Sequence, residues 1–152
     1  MGAYYAVPSD SLVRFERYAK NDNTAHFSGR FTVSGSYVYG WVEEGIYSWF
    51  KLYFVPDKQI AARLPHVADS EPVRELLFTN QEDFIAAVVS PVDAAKLKRR
   101  QIESITGRAT LNVDGYWINV ECGVEYYGVK FLSVSGPMTV DLKQDSIPAS
   151  HC

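Results

Sequence analysis

The stretch Ile105–Val134, ITGRATLNVDGYWINVECGVEYYGVKFLSV, decides the fold class. Apolar and polar residues alternate through much of it, with Gly, Asp and Asn at intervals. Asp114-Gly115 lies between two β-prone runs and predicts a two-residue hairpin, because both central positions of such a turn need positive φ and Asp and Gly tolerate it. Downstream, Tyr116, Ile118, Val120 and Cys122 fall on one side of a strand, and Trp117, Asn119 and Glu121 on the other. That period of two is the mark of a half-buried strand. Gly123 offers a second turn or a bulge. Val129, Phe131, Leu132 and Val134 make the last run apolar on both faces, which predicts a central strand covered on both sides. The whole stretch reads as a β-meander.

Its opening has a counterpart upstream. Phe27-Ser28-Gly29-Arg30-Phe31-Thr32-Val33 and Ile105-Thr106-Gly107-Arg108-Ala109-Thr110-Leu111 share the pattern apolar, hydroxyl, Gly, Arg, any, Thr, apolar. Two copies are too few for a repeat array. The reading is two strands with equivalent roles, each Gly marking a bulge or a close backbone approach.

The 152 residues suit one domain with a sizeable core. At 47% hydrophobic and 22% charged, the composition argues against wholesale disorder. Aromatics reach 14% and concentrate in the expected strands, which favours β structure. A net charge of −3 lacks the basic footprint of a general polyanion binder. No apolar run has the length of a membrane span, and no N-terminal signal peptide is visible. These features point to a soluble protein, cytoplasmic by default, with Met1-Gly2 also compatible with a trimmed secretory signal. Of the two cysteines, Cys122 is expected as a buried thiol on an apolar strand face and Cys152 as a free terminal one; a disulfide between them has weak motivation.

Along the chain, residues 1–24 form an N-terminal segment in which Leu12–Tyr18 reads as an added strand, with a short helix capped by Asp10 or Ser11 and striped by Leu12, Phe15 and Ala19 as the alternative, followed by a polar loop over Lys20–Thr24. Residues 25–142 form one β-rich domain. Ala25–Val42 and Tyr47–Val55 are strands, with a turn over Glu43–Gly45. Gly29, Gly35 and Gly40 read as bulges or bends. A helical turn is expected over Ile60–Leu64 and a short strand within Glu71–Thr79. Asn80 is placed as a helix N-cap with Glu82 and Asp83 behind it, and Ser90-Pro91 as a second start with Asp93 at N3. Together these give a helical insert around residues 80–102, ending in Lys96, Lys98, Arg99 and Arg100. Gly136-Pro137 breaks the sheet, Met138–Leu142 adds an edge strand, and residues 143–152 form a polar tail.

The expected fold is mainly β: a small antiparallel barrel or strongly bent sheet with that helical insert. Strands, then helices, then strands is an order that resembles the OB-fold plan over roughly residues 25–134, at the level of fold and without a shared motif. An α+β open antiparallel sheet packed by one or two helices gives the same order.

The chemistry-bearing residues form no catalytic or metal motif. His26, His66 and His151 are not spaced with other ligands as a zinc site requires, and His151-Cys152 belongs to the terminal tail. Cys122 beside Glu121 lacks the cationic neighbour that makes a thiolate. Glu121 and Glu125 flank the Gly123 turn, and a carboxylate pair can serve as acid and base in glycoside hydrolysis, although surface glutamates at strand ends are far commoner. The glycines fit no phosphate-binding loop. No cofactor and no metal are expected.

The aromatic residues carry the functional expectation. Tyr47, Trp49 and Tyr53 share a strand face with Lys51, and Tyr37 and Tyr39 lie on a strand expected to pair with it. Exposed, and with Arg30 as an added cation, they form a binding platform. The expectation is a non-enzymatic binding or interaction module recognising a macromolecule, a protein first, through this face. Alternatives are an OB-like nucleic-acid or oligosaccharide binder and a hydrolase whose site is not visible in sequence. The competing possibility is a helix or terminal segment covering the aromatic face, since large exposed patches are uncommon on monomers.

Overall fold

The computed structural model describes residues 4–143. The expected tail, with His151, Cys152 and any Cys122–Cys152 bridge, lies outside the described residues apart from Lys143. The chain is mainly β. Its strands are β1 (Tyr5–Ala6), β2 (Arg14–Ala19), β3 (Thr24–Ser28), β4 (Phe31–Glu44), β5 (Tyr47–Pro56), β6 (His66–Val67), β7 (Leu77–Phe78), β8 (Ser104–Glu121), β9 (Val124–Val134) and β10 (Thr139–Lys143). A one-turn helix α1 (Lys58–Ala61) follows β5, and α2 (Gln81–Val88) and α3 (Pro91–Lys98) lie between β7 and β8.

Strand β8 is the axis of the main sheet. Along one edge its first part pairs with β4, from Ser104↔Gly40 to Val113↔Phe31, and its later part with β3, from Trp117↔His26 to Asn119↔Thr24. Along the other edge it pairs with β10 over Ser104–Arg108 and with β9 from Leu111↔Val134 to Glu121↔Val124. β2 extends the sheet beyond β3, β5 extends it beyond β4, and β7 runs parallel to β9. β1 and β6 form a separate antiparallel pair.

The expected hairpin at Asp114-Gly115 is instead a bulge inside β8. Asp114 pairs with Lys130 and Trp117 with Gly128, so Gly115 and Tyr116 together face Val129. Gly115 sits at φ +63, the left-handed glycine of a bulge with one extra residue. The partner on the other edge yields at the same level, where Gly29 (φ +127) and Arg30 separate β3 from β4. The true hairpin lies further on, at Cys122 (φ +51) and Gly123 (φ +78), between the pair Glu121↔Val124. Two positive φ values make it the turn whose twist matches the strands it joins. Cys122 is therefore exposed at a turn and not buried on a strand face.

The two similar stretches do not play equivalent parts. Phe31, Thr32 and Val33 pair antiparallel with Val113, Asn112 and Leu111, while Gly29 lies in a strand break and Gly107 inside β8 opposite Tyr37. Nor are Gly35 and Gly40 bends, since β4 keeps regular register with β5 past both. A Cβ on Gly35 would lie 2.4 Å from the Val55 carbonyl oxygen, so the close approach of β5 is what demands glycine there.

The sheet is not closed into a barrel. Between the β5 edge and the chain that leads to β7, the described backbone makes a single contact, Leu76 N–H donating to Phe54 O at 2.9 Å. One bond is not a ladder. The inner face is filled by aromatic packing. Phe84 of α2 meets Tyr37, Phe54 and Phe131 edge-on and stacks on Phe78 at 4.7 Å between centroids. At the other end Tyr116 packs on Phe27 and Phe31, and its buried hydroxyl donates to Pro65 O at 2.5 Å. Of the two helix starts, Ser90 caps α3 by accepting from Asp93 N–H. The Asn80 side chain makes no cap; its amide donates to Phe131 O and accepts from Phe131 N–H, holding α2 against β9.

Candidate functional site

The hairpin of β4 and β5 is in register from Gly35↔Pro56 to Glu44↔Tyr47 without a bulge. Period-two alternation sends its side chains to two faces. Tyr37, Tyr39 and Trp41 pair with Phe54, Leu52 and Phe50, and these six face the core. Val38, Val42 and Glu44 pair with Tyr53, Trp49 and Tyr47 and face outward. The residues expected to form one aromatic platform are thus divided. Tyr37 is 1% exposed, and Tyr39 is half-buried, stacked on Phe50 at 5.6 Å. Burial raises the pKa of both hydroxyls, with Asp141 adding to it for Tyr37 and Glu82 for Tyr39. Arg30 is exposed but sits at the break between β3 and β4, at the far end of β4 from Trp49.

Four of the expected residues remain together. Tyr47 (71% exposed), Trp49 (39%), Lys51 and Tyr53 lie on the outer face of β5, and the Lys51 ammonium stands 4.4 Å over the Tyr53 ring. Exposed Val38 and Val55 extend this surface, and at the tip Gly45 (φ +62) presents Ile46 at 93% exposure. These aliphatic neighbours were not singled out from the sequence. Counting back from the Glu44↔Tyr47 pair would have found Val38 beside Tyr53. Arg108 bounds the surface, chelating both oxygens of Asp57 at 3.0 and 2.8 Å.

In the basic run Lys96–Arg100 the last residue is tied to the hairpin. Arg100 pairs with Glu43 and lies 4.1 Å over the Trp41 ring, whose indole N–H donates to Leu97 O. The run's final arginine therefore fastens the end of α3 to the hairpin.

A second feature is a cleft of about 590 Å³ along residues 69–77, with Lys51, Arg74, Glu75, Glu125 and Tyr127 among its walls. Glu125 accepts from Ser70 Oγ and Tyr127 Oη, both at 2.7 Å, and Tyr127 Oη accepts from Val67 N–H. Burial pushes the Tyr127 pKa up; the Val67 N–H opposes this and the Glu125 carboxylate reinforces it. Glu121 is exposed at the hairpin end and does not line this cleft, so the expected Glu121–Glu125 pairing is not assembled there. His66 bonds the neighbouring Val67 O and His26 lies opposite Trp117. Among the described residues no cluster of His, Cys, Asp and Glu could hold a metal ion, and no helix is long and apolar enough to cross a membrane. Comparisons with known protein families, curated proteins and solved structures return no significant match.

Proposed function

We propose that this chain is a protein-binding module that captures an extended segment of its partner along the stretch of the β5 edge before Phe54, with Tyr47 and Trp49 gripping it from the outer face. The observation that carries this reading is the coincidence of an open strand edge with exposed aromatic side chains on one element. Native sheets protect their edges with short strands, bulges, prolines or charges, because an unpaired row of N–H and C=O groups is a template for another strand. β5 runs for 10 residues with no bulge, and Lys51 is its one charged residue. Strand addition to such an edge takes affinity from main-chain hydrogen bonds and specificity from alternate side chains. Trp and Tyr beside it are the residue types that dominate binding hot spots.

A photo-crosslinking amino acid at Tyr47 should give a defined protein adduct in cells, and the same group at Arg30 should not. Trp49→Ala and Tyr53→Ala should each weaken that capture, Trp49→Ala by about thirtyfold as expected of a hot-spot aromatic, with little change in melting temperature. Equal adducts from both positions, or none from Tyr47, would defeat the reading.

A further inference from the structure

We infer that the strand laid against β5 is β5 of a second copy of this chain, antiparallel, with the two-fold axis through Trp49. The inference rests on β5 being a binding edge and goes on to specify the partner and the register. The Leu76 N–H bond fixes which backbone groups point outward. It reaches Phe54 O, so the polar groups of Phe54 face away from β4. In an antiparallel ladder this direction alternates, which turns Leu52, Phe50 and Ser48 outward as well. Among the described residues no backbone bond from another segment reaches these three.

Outward residues must pair with outward residues, and this leaves few registers. An axis through Lys51 sets Lys51 against its own copy, a like-charge pair that destabilises a sheet. An axis through Phe50 brings the partner's Ile46 opposite Phe54, into the lane that Leu76 already occupies. An axis through Ser48 leaves Leu52 without a partner. The axis through Trp49 pairs Ser48 with Phe50 of the second copy and Ile46 with its Leu52, and the partner strand turns away before reaching Phe54.

The same register makes the outer face complementary. Trp49 meets its copy at a non-hydrogen-bonded site, where Cα atoms approach to about 4.5 Å and side chains are closest. Aromatic pairs favour such sites. On either side, Tyr47 lies opposite Lys51 of the second copy. The ammonium that already sits over Tyr53 gains a second ring, and every cation faces an aromatic. Glu43 and Glu44 lie beyond the paired segment, so no carboxylates are opposed.

Sedimentation equilibrium of the full chain, from low to several hundred micromolar, should show a reversible monomer–dimer equilibrium. Trp49→Lys places two cations at the axis and should raise the dimer dissociation constant by at least about thirtyfold, with the far-ultraviolet circular dichroism unchanged. In a background carrying Cys122→Ser and Cys152→Ser, Trp49→Cys should oxidise to a disulfide-linked dimer faster than Lys51→Cys on the same face, because 49 alone meets its own copy. Faster linkage at 51 overturns the register. A monomer at every concentration overturns self-pairing; if the crosslinker at Tyr47 then still captures a different protein, the binding edge stands, and if it captures nothing, both readings fall.

Discussion

Glu75 shows how a single side chain carries an untested cost. Its Oε1 atom is buried and has no hydrogen-bond partner among the described residues. Burial raises its pKa, and Lys51 works against that rise. A raised folded-state pKa means that the native chain keeps a proton the unfolded chain has lost. Stability then falls as pH rises from the ordinary glutamate range, about 4.3, through the raised value, and levels off above it. Glu75→Gln removes this titration. Urea midpoints measured in parallel from about pH 4 to about pH 7 should show the variant gaining on the parent across that window. A difference that stays flat would mean that the carboxylate is solvated. Nothing in the sequence marked this residue, because its burial comes from residues 69–77 folding beside β5, a contact between segments with no local pattern. Tyr37 and Tyr39 failed for a different reason. Their strand was legible, but sharing a face with Tyr53 depends on register, and a slip of one residue exchanges the two faces.

At the scale of elements, the meander stretch was legible as strand and misread as turn. Asp114-Gly115 has the composition of a hairpin and forms a bulge, because β9 runs on past that point along one edge of β8 and on the other edge β3 takes up the pairing where β4 ends. A turn signal reports that positive φ is tolerated; it does not report whether the chain reverses. Cys122-Gly123 reverses the chain without the favoured residue at its first position. Cys122 carries φ +51 on a residue with a Cβ, which costs about 1–2 kcal/mol. Asn tolerates that region better and favours this turn type. Cys122→Asn should therefore stabilise the protein by several tenths to about 1 kcal/mol, read as a shift in the denaturant midpoint at unchanged slope. Because the residue is exposed, no packing is lost. A destabilised variant would mean that the cysteine side chain makes a contact the turn needs.

Over the whole molecule, β8 joins the two halves of the chain. Its edges take β3 and β4 from the N-terminal side and β9 and β10 from the C-terminal side, so the sheet has no centre until residues near 110 have found residues near 33. Sequence patterns recover strands one at a time, and so the β class was readable while the choice between a barrel and an open sheet, and the identity of the edge strand, were not. Closing so long a loop before its contacts can form makes folding slow, in the millisecond-to-second range typical of β topologies. Leu111 is fully buried in β8 opposite Val33, whereas Val13 is buried just before the peripheral strand β2. If pairing of β4 with β8 is the nucleus, Leu111→Ala should mainly slow refolding and Val13→Ala should mainly accelerate unfolding. Stopped-flow tryptophan fluorescence on both variants separates the two arms. The opposite pattern would place nucleation in the local β2–β3 hairpin, with the long strand docking only after the barrier.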